Sequence, residues 1–198
     1  MDYMKISLED ADKWLKENLN EKRYQHSLGT AECARELAQK FDQDIEKAYI
    51  AGLLHDCAKC FSDEKLLEII DKYLDDVDED ERSNKKTLHA PASCYIAKTV
   101  FGVKDAQILS SIRWHTLGKI EMNDFEKIIF LADKIELRTR SDEYRNKITK
   151  DLYKKNGLNK AILECYKETI KSLVDRDLKI CPLTVEIYNV MEKTINVN

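Results

Sequence analysis

The 198-residue chain contains few of the residues that interrupt regular structure: five glycines and two prolines. Apolar residues recur at intervals of three and four, as in Leu8, Ala11, Leu15 and Leu19. This is the spacing of an amphipathic helix, and no strand-like alternation or internal repeat competes with it. The sequence therefore predicts an all-α fold, with enough residues over 1–198 to bury the core of one domain.

A basic excess and long apolar runs are also missing. The formal net charge is -4, whereas general nucleic-acid binders normally carry an excess of Lys and Arg, so no nucleic-acid partner is expected. An anionic substrate would have to be held by local cations. No apolar run approaches the length of a membrane span, and Met1–Lys5 has no secretory character. We therefore expect a cytoplasmic protein with no membrane partner.

The cysteines do not indicate a metal site. There are six, at positions 33, 57, 60, 94, 165 and 181, and in a cytoplasmic chain free thiols are expected rather than disulfides. Cys57 and Cys60 form a Cys-x-x-Cys pair that could be read as a zinc or redox site. A structural zinc would need two more ligands, and the chain has no second such pair, so incidental thiols are the favoured interpretation.

An acidic run extends from Asp75 to Glu81. It lacks the glycine turn and the terminal bidentate spacing of an EF-hand calcium loop. We interpret it as a solvated loop between helices.

Several polar residues and glycines indicate where helices begin and where they approach each other. Ser7 and Ser62 are candidate N-caps, and Asn123-x-x-Glu126 resembles a capping box ahead of a long apolar segment. Gly29 and Gly52 fall inside predicted helices, where a missing side chain would permit close packing.

Histidine is rare, and each of the four has an apolar or helical context. They are His26, His55, His89 and His115, with Asp56 directly after His55 and Asp133 in a later apolar helix. Imidazole and carboxylate are ligands for divalent metals such as iron, manganese or zinc. Each residue alone could be a structural histidine or a helix cap. A buried carboxylate is costly unless paired or metal-bound, however, and five helices of a bundle can direct such side chains to one centre.

The flanks of these residues resemble the HD-domain metal-dependent phosphohydrolases, and more closely the YqeK branch of symmetrical diadenosine tetraphosphate hydrolases. The matching stretches are Arg23–Ser27, Ala51–Lys59, Leu88–Pro91, Ile112–Thr116, Ala132–Glu136 and Pro182–Asn189. The chain departs from the family pattern at Leu117, where a second threonine is common, and at Leu137, where proline is common. The resemblance implies an HD-domain helical bundle with a core at about 20–140. Helices at about 141–198 would complete the nucleotide pocket.

The resemblance also implies a metal site and its chemistry. The first metal, most readily iron, would be bound by His26, His55, Asp56 and Asp133. His89 and His115 would then serve a second metal or the substrate phosphates. Asp56 and Asp133 are also the candidate catalytic residues, which would orient the attacking water or accept its proton.

Substrate contacts are expected from cations and from residues carried over by resemblance. They are Arg23, Lys59, His89, His115, Thr116, one of Arg138 and Arg140, and Ile180, Cys181, Pro182 and Thr184. Arg23 shares a helical face with His26. Arg140, two turns after Asp133, is expected to share the face of that aspartate, which favours it over Arg138.

The expected reaction is metal-dependent cleavage of diadenosine tetraphosphate into two ADP. One alternative is another HD-fold nucleotide phosphohydrolase, acting on a nucleoside mono- or triphosphate or a cyclic dinucleotide. A second is a metal-dependent nucleotide sensor without turnover. The oligomeric state stays open, with a homodimer among the alternatives.

Overall fold

The computed structural model describes residues 3–196. These residues contain eleven α-helices and one 3-10 turn, joined by loops. The predicted domain limits at residues 1 and 198 lie outside this range. The helices are α1 (Leu8–Asn18), α2 (Glu21–Lys40), α3 (Ile45–Leu54), α4 (Asp63–Tyr73), α5 (Glu79–Arg82), α6 (His89–Thr99), α7 (Ala106–Trp114), α8 (Asp124–Ile135), α9 (Asp142–Thr149), α10 (Gly157–Val174) and α11 (Pro182–Asn196). The 3-10 turn, Cys57–Cys60, follows α3. No strand occurs between residues 3 and 196, so the predicted all-α fold is confirmed.

Polar side chains begin the helices where the sequence predicts them. The hydroxyl oxygens of Ser7 and Ser62 accept hydrogen bonds from backbone N–H groups in the first turns of α1 and α4. Asn123 and Glu126 form a complete capping box at the start of α8. These contacts satisfy amide donors that have no partner within the helix, and they fix where α8, the helix that carries Asp133, begins.

The centre of the bundle is formed by α2, α3, α6, α7 and α8. Helix α2 packs against α3 and α8, while α7 packs against α3, α6 and α8. Helix α8 is the most enclosed, because apolar side chains are buried around its whole circumference. The apolar stripe of α1 begins one turn later than the sequence pattern predicts: Ala11 and Leu15 are buried, but Leu8 is exposed.

Gly52 allows α3 to approach α2 closely. A Cβ atom at this position would lie 2.8 Å from the Cα atom of Ala31 and 2.9 Å from the carbonyl oxygen of Thr30. Both atoms belong to the backbone of α2 and cannot rotate away. The expectation that Gly52 permits close packing near His55 is confirmed.

The C-terminal helices pack against the same bundle. Helices α9 and α10 contact α8, and α11 contacts α10. The buried Tyr166 hydroxyl of α10 donates a hydrogen bond of 2.7 Å to the carbonyl oxygen of Leu117, just after α7. Among residues 3–196, no helix combines the length and the apolar character needed to cross a bilayer.

The acidic run after α4 is not a solvated loop throughout, and that interpretation is wrong for its second half. Glu81 lies in the short helix α5, is 3% exposed, and receives two hydrogen bonds of 2.7 and 2.9 Å from the guanidinium of Arg113 in α7. Asp76 accepts a third at 3.0 Å. Glu81 can be buried because a cation on a helix distant in sequence pairs with it. The composition of the acidic run alone does not reveal this pairing.

Candidate metal centre

Six buried side chains from five helices meet in one cluster. They are His26 in α2, His55 and Asp56 directly after α3, His89 at the start of α6, His115 directly after α7, and Asp133 in α8. The structure thus brings the four predicted ligands of the first metal together with His89 and His115, which are predicted to serve a second metal or the substrate phosphates. Three overlapping groups of three have ligand atoms within 4.8 Å of one another, which is close enough to share an ion.

Asp56 lies between two pairs of histidines. Its Oδ2 atom is 3.7 Å from His26 Nε2 and 3.4 Å from His55 Nε2. Its Oδ1 atom is 3.3 Å from the Nε2 atoms of both His89 and His115. Asp133 joins the first pair, with Oδ1 2.8 Å from His26 Nε2. One carboxylate therefore faces two candidate ion positions.

Helix ends orient two of the histidines. The Nδ1 atom of His55 lies 2.6 Å from the carbonyl oxygen of Gly52, and the Nδ1 atom of His115 lies 2.7 Å from that of Ile112. A carbonyl oxygen can only accept, so each Nδ1 must carry the proton. Each Nε2 atom is thereby directed into the cluster as the coordinating nitrogen.

The polar atoms of the cluster fit a bound cation. His26 Nε2 and His55 Nε2 are 3.3 Å apart, and those of His89 and His115 are 3.1 Å apart. Neither buried oxygen of Asp56 has a hydrogen bond of good geometry, although Lys59 Nζ makes an ion-pair contact of 2.7 Å to Oδ2. Buried carboxylate oxygens and inward-facing imidazole nitrogens at these distances are satisfied by a shared divalent ion.

The electrostatics of the cluster also favour a cation. Burial alone would raise the pKa of both Asp56 and Asp133, but His55, Lys59 and Lys134 hold the two carboxyl pKa values well below their usual range. Burial would lower the pKa of His55, yet Asp56 and Asp133 raise it to about 9. For His89 and His115 burial prevails and lowers the pKa, which keeps these rings in the neutral form that coordinates metal.

Three basic side chains contact the two carboxylates. Lys59 reaches Asp56, while Lys134 Nζ lies 2.5 Å from Asp133 Oδ2 and Arg140 Nη2 lies 3.0 Å from Asp133 Oδ1. These contacts place three positive charges beside the two carboxylates.

The two candidate arginines after Asp133 have different environments. Arg140 contacts Asp133. The predicted shared helical face is wrong, however, because α8 ends at Ile135 and Arg140 reaches back from the turn that follows. Arg138 points away from the cluster and forms hydrogen bonds with Glu32 and Gln25 on the outer side of α2.

Other predicted substrate contacts also lie near the ligands. The Thr116 hydroxyl is 3.0 Å from His89 Nε2 and 2.9 Å from His115 Nε2. Arg23 donates to the carbonyl oxygen of Lys59, which places its guanidinium beside the turn that follows the His55–Asp56 pair.

The predicted nucleotide segment, Ile180, Cys181, Pro182 and Thr184, lies where α11 begins. Cys181 borders a cavity of about 280 Å³ that is also lined by residues 83–86. Lys179, next to the segment, pairs with Asp80 at 2.8 Å. Within residues 3–196, no polar contact joins this segment to the six clustered residues, so its role in binding stays a prediction.

Two residues beside the cluster were not singled out from the sequence. They are Lys134, which contacts Asp133, and Glu136, whose Oε1 atom lies 3.1 Å from His26 Nδ1. Burial would raise the pKa of Glu136, but hydrogen bonds from His26, Thr139 and two backbone amides lower it to about 2. The sequence spacing could have indicated Glu136. It follows Asp133 by three residues, and this spacing puts two carboxylates on one side of a helix.

The Cys-x-x-Cys pair takes no part in the cluster. Cys57 Sγ donates to the carbonyl oxygen of Ser93 at 3.5 Å, and Cys60 Sγ donates to that of Cys57 at 3.4 Å. All six cysteines are free thiols. Among residues 3–196, the groups able to hold a metal contain histidine and aspartate only.

Comparisons with known proteins agree with this geometry. The model of the HD domain family matches residues 23–138. A Staphylococcus aureus protein named symmetrical bis(5'-nucleosyl)-tetraphosphatase is 35% identical over 93% of this chain and 94% of its own. A Bacillus subtilis protein of the same name is 34% identical over 93% of this chain and 97% of its own. A crystal structure from Clostridium acetobutylicum, described as a predicted HD superfamily hydrolase involved in NAD metabolism, is 36% identical, covers 96% of this chain and 98% of its own, and has a TM-score of 0.89.

Proposed function

The chain belongs to the HD domain family, and on that premise we propose that it hydrolyses diadenosine tetraphosphate symmetrically into two ADP. The observation that carries the proposal is the complete buried cluster of four histidines and two aspartates. It occurs in a chain that matches relatives named for this activity over nearly their whole length. The completeness of the ligand set favours turnover over sensing.

We propose that His26, His55, Asp56 and Asp133 hold a divalent transition metal, with His89 and His115 completing a second position or meeting the substrate phosphates. Iron is the metal that we expect, because the ligand set of imidazole and carboxylate suits a borderline divalent ion. A divalent ion bound there supplies Lewis acidity, which screens phosphate charge and activates water. The two carboxylate oxygens of Asp56 support a position for each of two ions, because Oδ2 lies near His55 and Oδ1 lies near His89.

The protein's own groups would then orient the reactants. Asp56 and Asp133 are ionised acceptors, which suits them to hold the attacking water through a hydrogen bond from its proton. Lys59, Lys134 and Arg140 lie within 3.0 Å of these carboxylates. Their positive charges are placed to stabilise the charge that develops on the phosphates.

The position of the cut depends on how far the adenosine pocket lies from the cluster. We propose that residues 180–184 hold one adenosine so that its second phosphorus lies at the cluster, which makes both products ADP. The packing of this segment beside residues 83–86 supports a pocket there. We further propose an HD core at about 20–140, completed by residues 141–198, in a cytoplasmic enzyme whose free thiols suit a reducing compartment.

Hydrolysis in ¹⁸O-labelled water, with product masses read directly, tests this proposal. We expect ADP as the sole product class and one labelled oxygen for each pair of ADP molecules. Asp133→Asn should abolish both turnover and metal content. The matched control is Asp44→Asn, because Asp44 caps α3 away from the cluster and asparagine is also a good N-cap. AMP and ATP as the dominant products would refute symmetrical cleavage, and undiminished turnover after complete chelation would refute the metal mechanism.

A further inference from the structure

Glu136 is a buried carboxylate whose surroundings are built around it. Its side chain is 0% exposed. It receives hydrogen bonds from the backbone N–H groups of Arg138 and Thr139, at 2.6 and 3.1 Å, and from the Thr139 hydroxyl. Its Oε1 atom also lies 3.1 Å from His26 Nδ1. The turn after α8 therefore holds this carboxylate against α2, the helix that contains His26.

The position of His26 explains why such a partner is needed. His55 and His115 directly follow their helices, and each ring donates from Nδ1 to a carbonyl in the last turn. His26 instead lies inside α2, where carbonyl oxygens already accept from the helical N–H groups four residues later. Among residues 3–196, His26 Nδ1 has no hydrogen bond to a carbonyl oxygen, and the side chain that faces it comes from the turn after α8.

Gly29 leaves the space that Glu136 occupies. It lies one turn after His26 on α2, and a Cβ atom there would collide with the Glu136 carboxyl group, 3.1 Å from its Cδ atom. The same Cβ atom would lie 3.2 Å from Cγ of Arg138. The glycine in α2 and the carboxylate after α8 thus belong to one arrangement.

We propose that Glu136 is a positioning residue that keeps the proton of His26 on Nδ1 and directs Nε2 at Asp133 and Asp56. A side chain that fixes the tautomer and orientation of a metal-binding histidine typically changes metal affinity roughly 10- to 100-fold when it is removed. The inference rests on the proposed metal centre but not on the proposed substrate.

The test compares alanine variants at the two buried glutamates of the α8 region. Glu136→Ala removes the carboxylate that faces His26 Nδ1 and leaves only the more distant Thr139 hydroxyl, at 3.4 Å. Glu126→Ala is the matched control, because Glu126 is 2% exposed and hydrogen-bonded but caps the opposite end of α8. Mn²⁺ affinity is measured by competition with a chelator, and the His26 tautomer is read from the ¹⁵N shifts of the metal-free protein with the ring neutral. A His26→Gln spectrum assigns the signals.

We expect Glu136→Ala to weaken Mn²⁺ binding roughly 10- to 100-fold and to move the His26 proton partly to Nε2, with both properties unchanged in Glu126→Ala. Gly29→Ala keeps the carboxylate but displaces it, so it should reproduce both effects even if Glu136→Ala folds poorly. An unchanged tautomer in Glu136→Ala and Gly29→Ala, or an equal loss of affinity in Glu126→Ala, would overturn the inference. A wild-type protein that binds no Mn²⁺ yet shows the Nδ1 tautomer would count against the proposed metal centre instead.

Discussion

The ion pair between Arg113 and Glu81 can be tested by removing either partner. The two side chains are 7% and 4% exposed and meet through two parallel N–H to oxygen contacts. Arg113→Met leaves the buried Glu81 carboxylate unpaired, which costs about 3–5 kcal/mol of unfolding free energy. Glu81→Met should cost less, because Asp76 still pairs with Arg113. Burial raises the pKa of Glu81 even though Arg113 opposes this effect, whereas Glu81 and Asp76 raise the pKa of Arg113 despite its burial. Replacing both partners leaves neither buried charge unpaired. Arg113→Met with Glu81→Met should therefore cost much less than the sum of the two single changes.

Urea denaturation of the metal-free protein measures these differences, because a bound ion would add its own contribution to stability. The matched control is Arg82→Met, which removes a partly exposed ion pair with Asp71. That change should cost at most about 1 kcal/mol. If Arg113→Met costs no more than the control, or if the double variant loses the full sum, residues 76–81 are not held to α7 by this pair.

Three further changes test the packing and the site. Gly52→Ala should cost about 1–3 kcal/mol in urea denaturation, because its Cβ atom meets the α2 backbone; an unchanged midpoint would contradict the close approach. Cys57→Ala with Cys60→Ala should leave metal content unchanged, and loss of a tightly bound ion would show that the thiols are ligands. Arg140→Gln should lower turnover more than Arg138→Gln, since only Arg140 contacts Asp133; equal effects in steady-state kinetics would refute this distinction.

The candidate metal ligands could be predicted from the sequence because the stretches that flank them resemble those of the HD-domain family, and several also have a local signature. His55 and His115 directly follow apolar helical runs, and His89 begins a helix that has proline in its first turn. A helix end fixes the direction of a side chain within a few residues, so these positions depend little on distant parts of the chain. The all-α class is equally local, since it follows from apolar spacing and from the scarcity of glycine and proline.

The contacts around the ligands could not be predicted in the same way, because they depend on where helices end and on what lies opposite. The helical face expected for Arg140 assumes that α8 continues, whereas it ends at Ile135 and the chain turns back. Glu81 looks solvated in the sequence and is buried by Arg113, which is 32 residues away. Pairings between distant segments are decided by packing, which a local pattern does not record.

The charges around Asp133 connect the fold to the proposed reaction. Lys134 and Arg140 both contact this carboxylate, and Lys59 contacts Asp56. If Asp56 and Asp133 held a divalent ion as proposed, their negative charge would be divided between that ion and these cations, and each ion pair would weaken. Lys59, Lys134 and Arg140 would then be available to bind a polyphosphate at the position where it reacts. An acidic chain can in this way concentrate positive charge at one buried point without a basic surface.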